Sequence, residues 1–123
     1  MKRSFFESMP ESQLVEQFTN DALKQFEAEL NDEFTKYNAL ADDIVAIGEE
    51  LKRRTGDKRS ALLPLFDHPN PQVRLMAAEI TLAVAPAAAR QILQEIWDRK
   101  EFPQAAHAMG TLRALERGDR KPT

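Results

Sequence analysis

The stretch LLPLFDHPNPQVRLMAAEITL, residues 62–82, decides how this chain folds. Asp67-His68-Pro69-Asn70-Pro71 cannot be helix, because each proline pushes its preceding residue into extended backbone. Asn70 then has the side chain of an N-cap, and Pro71 takes the first helical position, where a missing N–H costs nothing. The spacing predicts a helix from Pro71 to Ala85 that buries Val73, Ala77, Ile80 and Val84, with Met76 and Leu82 nearby. Before the turn, Leu62, Leu63 and Phe66 mark a short helix over Lys58–Phe66, with Pro64 inside it.

Toward the C-terminus, Pro86 opens a helix from about Ala87 to Arg99 that carries Ile92, Leu93, Ile96 and Trp97. Pro103 opens another, to about Arg117, with Ala106, Met109, Leu112 and Leu115 on its apolar side. Gly118 stops it, and residues 119–123 read as a frayed tail. Toward the N-terminus, Leu14, Val15, Phe18, Ala22, Phe26 and Leu30 form one apolar stripe at three- and four-residue steps. Glu16, Asp21, Lys24, Glu27 and Glu29 are left for the opposite face. Asn31-Asp32 reads as a break and a new N-cap. A second long helix, Glu33 to Arg54, has its stripe on Phe34, Tyr37, Ala41, Ile44, Gly48 and Leu51, and Gly56 follows as a left-handed stop. These two helices form an antiparallel hairpin. No segment alternates with period two, so the expected fold is all-α: a helical hairpin and then two helix pairs, six helices in an α-solenoid. Residues 12–118 form the domain, residues 1–11 an N-terminal extension and residues 119–123 a C-terminal tail.

A shift of thirty residues lays Leu62, Leu63 and Phe66 on Ile92, Leu93 and Ile96, Ala78 on Ala108, and Thr81-Leu82 on Thr111-Leu112. A period of that size built from helix pairs is the signature of stacked repeats. Residues 62–82 also resemble a HEAT repeat, with a leucine-rich first helix, an Asp-x-x-x-Pro turn, Val-Arg, and an alanine-rich second helix. The resemblance implies that Asp67 and Arg74 are structural turn residues, beside Asn70 and Pro71, which the capping pattern already places in the turn. The second unit departs from the pattern: Trp97 stands where Asp67 aligns, and no basic residue answers Arg74. From about Leu14 to Gly118 the chain is similar to the bacterial family of unknown function DUF2019. That likeness rests on Tyr37-Asn38-Ala39-Leu40, Ile47–Lys52, Ala61–Arg74 and Phe102-Pro103-Gln104-Ala105. It implies a HEAT-like helical fold and no activity.

The chain has 123 residues, 42% hydrophobic and 30% charged, the composition of one globular domain. It has no cysteine, which excludes disulfides, thiol nucleophiles and Cys-ligated zinc. No apolar run approaches the roughly 18 residues of a membrane span, and the N-terminus lacks the apolar core of a signal peptide. A cytoplasmic protein is expected. The net charge of -3 conceals a division: residues 1–50 carry 4 basic and 12 acidic side chains, residues 51–123 carry 13 and 8.

Chemistry-bearing patterns are sparse. His68 and His107 belong to no His-x-x-x-His or Glu-x-x-His pair, so neither spacing points to a metal. No Gly-x-Ser-x-Gly elbow and no glycine-rich phosphate loop exist. No cofactor and no catalytic residue are therefore expected. Asp42, Asp43, Glu49 and Glu50 form an acidic group in the long helix, suited to docking a basic partner by charge complementarity. Trp97 lies off the strict apolar stripe and is a candidate interface anchor. Phe5-Phe6, ahead of the first long helix, either fold back on the core or mediate dimerisation. The expected function is a non-catalytic module that binds another protein, as a monomer or homodimer, in one version an inhibitor or immunity-like protein. The alternative is a nucleic-acid-binding repeat that uses Lys52, Arg53, Arg54, Lys58 and Arg59. Five phosphate contacts would give a log–log salt slope of about -4.5. Against it stand a pI near 5.4 and the lack of aromatic residues among the cations.

Overall fold

The computed structural model describes the backbone of residues 2–123 and the side chains from residue 5 onward. Among the described residues the chain is all-α: α1 (Lys2–Glu7), α2 (Glu11–Leu30), α3 (Phe34–Arg53), a 3₁₀ helix (Lys58–Asp67), α4 (Pro71–Thr81), α5 (Pro86–Asp98) and α6 (Gln104–Arg117). It divides into two compact units, Met1–Leu62 and Leu63–Thr123.

In the first unit α2 packs along α3, and α1 packs on α3. The expected stripe is buried at Leu14, Phe18 and Ala22 on α2 and at Ile44, Gly48 and Leu51 on α3. It is not buried throughout: Leu30 is 68% and Phe34 57% exposed. Helical spacing says which residues share a face, not how far a partner covers that face. Asp21, expected on the polar face, is instead buried, with Gln17 Nε2 donating to its Oδ1 at 2.9 Å. The N-terminal extension also carries structure. Phe6 is buried while Phe5 is exposed, and Arg54 Nη2 donates to the Phe6 and Met9 carbonyls at 3.2 and 2.7 Å, tying α1 to the end of α3.

The turn between α2 and α3 is made by the backbone, not by the expected side-chain cap. Asp32 is left-handed (φ 54°), Glu33 N–H donates to Ala28 O at 2.8 Å, and Asp32 N–H donates to Glu29 O at 3.3 Å. That is the paired bonding of a Schellman motif. The N-cap of α3 is Glu33, with no side-chain cap bond.

In the second unit α5 packs on both α4 and α6. Every residue of α4 from Gln72 to Ala78 is buried. Ala77, Ala78, Ala89, Ala105 and Ala108 are fully buried, and their small side chains permit close helix approach. α4 ends at Thr81, four residues before the expected Ala85. Pro86 holds Ala85 out of helical backbone (φ -144°, ψ 63°), and Thr81 Oγ1 donates to the Ala77 carbonyl at 2.8 Å. α6 ends as expected in left-handed Gly118. The tail after it is partly held: Arg120 donates to the Glu79 carboxylate and carbonyl, and its own N–H to Ala114 O.

Candidate binding surfaces

The acidic residues of α3 separate into two kinds. Asp42 and Glu49 are exposed, with Val45 between them 54% exposed. Steps of three and four place all three on one helical stripe. Asp43 is half-buried. Glu50 is buried and leaves the expected acidic face altogether. Arg53 Nη2 donates to its Oε1 at 3.1 Å and Arg54 Nε to its Oε2 at 2.7 Å. Burial opposes ionisation of Glu50, but the hydrogen bonds from Arg54 and Arg53 outweigh it and hold the carboxyl below its ordinary value.

The five cations of residues 52–59 do not present one patch. Arg54 is engaged by Glu50 and two carbonyls. Arg59 is buried and forms a bidentate pair with Asp57, at 2.9 Å from Nε and 2.6 Å from Nη2. The hydrogen bonds from Arg59 hold the Asp57 carboxyl low. Arg53 and Lys58 are exposed and Lys52 is half-buried.

The proline turn is closed by side chains. Asn70 Oδ1 accepts from Gln72 N–H at 2.8 Å and Val73 N–H at 3.3 Å, and His68 Nδ1 accepts from Asn70 N–H at 3.0 Å. Pro71 is the first residue of α4. Buried Arg74 donates to the His68 and Pro69 carbonyls at 2.7 and 3.2 Å and to both Glu101 oxygens at 2.8 Å. The hydrogen bond from Arg74 is the main reason the Glu101 carboxyl lies below its ordinary value. Asp67 does not take the part expected of it: its side chain is exposed and makes no hydrogen bond among the described residues. Its neighbours His68 and Asn70 fix the turn instead.

Trp97 is half-buried, not free, and stands edge-on to Phe102, with ring centroids 6.0 Å apart. Phe102 is 59% exposed. The two rings with Asp98 and Lys100 line a cleft of about 260 Å³. A larger groove of about 780 Å³ is lined by the end of the 3₁₀ helix and by α5, with the paired Arg74 and Glu101 also in its lining. Neither is legible in the sequence: the groove depends on packing between separate segments, and the cleft on the turn after α5 that brings Phe102 back against Trp97. On α6, His107 Nε2 lies 3.8 Å from Glu79, which also accepts from Thr111 Oγ1 at 2.6 Å. Among the described residues no group of three or more His, Asp or Glu could hold a metal ion, and no helix is long and apolar enough to cross a membrane.

The model of a family described as a domain of unknown function, DUF2019, matches residues 12–116. The chain belongs to the DUF2019 family. A solved structure is closely similar to this DUF2019 chain: the protein RPA1889 from Rhodopseudomonas palustris CGA009, at 44% identity and a TM-score of 0.92, over 95% of this chain and 97% of that one. No curated protein matches.

Proposed function

We propose that this chain is a non-catalytic, HEAT-like helical-repeat module that binds a basic protein through the outer face of α3. The observation that carries the reading is the stripe Asp42, Val45 and Glu49, an exposed aliphatic side chain between two exposed carboxylates on consecutive turns. Opposite charge on a partner would steer it to this face, and the apolar contact would be desolvated on docking. An inhibitor or immunity-like protein that covers a basic active surface is one form of such a module. The repeat reading draws on the thirty-residue correspondence. Ala78 and Ala108, and Thr81 and Thr111, are buried in α4 and α6 alike.

The nucleic-acid alternative draws less support, because Arg54 and Arg59 are already committed to Glu50, Asp57 and backbone carbonyls. The test is a photo-crosslinking residue placed at Val45 in the host cell, with exposed Ala83 as the control position. The expected result is a single adduct to a basic protein from position 45 and none from position 83. No adduct, or the same adducts from both, would overturn the reading.

A further inference from the structure

We propose that the groove of the Leu63–Thr123 unit is a separate binding site, which takes an arginine or lysine side chain from an extended peptide segment. It stands apart from the α3 reading, on different residues of a different unit.

At about 780 Å³ the groove is large enough for several peptide residues. Leu63 and Phe66 from the 3₁₀ helix and Ile92 from α5 contribute half-buried apolar surface to its lining. Asp67 lines it from the end of the 3₁₀ helix and Glu95 from α5. The third carboxylate, Glu101, is already held by both terminal nitrogens of Arg74. Asp67 and Glu95 make no side-chain hydrogen bond and no ion pair among the described residues, so two carboxylates of different elements share the groove without a counter-charge bonded to either. Arg99, one turn beyond Glu95, is exposed and forms no ion pair with it, and its field acts on Glu101.

The field of Glu95 also reaches Arg74 in the same lining, without a direct bond between them. Apolar surface beside carboxylates that bond no cation matches a long basic side chain, whose methylene stem is hydrophobic and whose head is cationic. The guanidinium fork of arginine fits this best, because it can donate to two carboxylates at once. The same lining serves a peptide backbone. Gln91 offers both a donor and an acceptor. His68 accepts Asn70 N–H at Nδ1, so its neutral ring carries its hydrogen on Nε2 and adds a second donor.

The experiment is an NMR titration of the isotope-labelled full chain with the blocked tripeptide acetyl-Leu-Arg-Leu-amide. Its neutral isostere, with citrulline in place of arginine, is the comparison. The site predicts saturable shifts at the amides of Asp67, His68, Gln91, Ile92 and Glu95. It predicts affinity weaker by about fivefold for the citrulline peptide, the size of one partly exposed charge contact. Asp67→Asn with Glu95→Gln should weaken the arginine peptide by a similar factor and leave the citrulline peptide unchanged, whereas Asp42→Lys with Glu49→Lys should change neither. If the groove variant fails to fold, the wild-type chain still decides: arginine-peptide affinity must fall as salt rises from about 0.05 to about 0.5 M. No saturable shift, equal affinity for the two peptides, or shifts centred on α3 would each overturn the proposal.

Discussion

Arg74 shows how one side chain can hold a turn. Its guanidinium satisfies two carbonyls that no helix can use and both oxygens of Glu101, a residue 27 positions away. Replacing it by methionine leaves those acceptors without donors and Glu101 without its counter-charge. The expected loss is about 3 kcal/mol, read from urea unfolding. Lysine should recover little of it, because an ammonium cannot reproduce the fork. The same pair makes stability depend on pH. The folded Glu101 carboxyl titrates below its unfolded value. Between the two values the unfolded chain holds the extra proton, so stability rises with pH there. The contribution is complete above the unfolded value and is lost as pH falls through the folded one. Urea midpoints measured from about pH 3 to about pH 7 should therefore climb less steeply in Glu101→Gln than in the wild type. At this scale Asn70 and Pro71 were legible from sequence, because a cap is a local event. The partner of Arg74 was not, nor was the idleness of Asp67, since nothing in a single sequence says which distant carboxylate a buried cation meets.

Helix ends show the same division at the scale of elements. α2, α5 and α6 each close on a left-handed residue: Asp32, Lys100 and Gly118. At α5, Glu101 N–H donates to Ile96 O and Lys100 N–H to Trp97 O, the same double bond pattern seen after α2. Glycine pays no steric penalty in that conformation, and lysine does. Lys100→Gly should therefore stabilise the chain by about 1 kcal/mol, a rise of several degrees in Tm by calorimetry. Among the described residues the Lys100 side chain makes no hydrogen bond, so its loss does not oppose the gain. Gly118 could be read as a stop because glycine announces that conformation, while Lys100 gives no such signal. The prolines marked helix starts well. The apolar stripes marked faces well but not their extent, and Leu30 and Phe34 lie uncovered although the pattern assigns them to the core.

For the whole molecule, the uneven charge was visible in the sequence, but its meaning changed once side chains were placed. Glu50 left the acidic face to hold Arg53 and Arg54, and Arg59 left the basic run to hold Asp57. Of the acidic group on α3, what remains exposed is smaller: Asp42 and Glu49, with exposed Val45 between them. A charge-reversal test must spare Glu50, whose replacement by lysine would bury a cation beside two arginines and unfold the helix end. The most direct measurement is capture from the native host, after nuclease treatment and at physiological salt, by the tagged wild-type chain and by its Asp42→Lys, Glu49→Lys variant. Binding through α3 predicts a stoichiometric basic protein on the wild type, at least tenfold less on the variant, and equal helicity by circular dichroism. The same protein retained equally by both chains would contradict it.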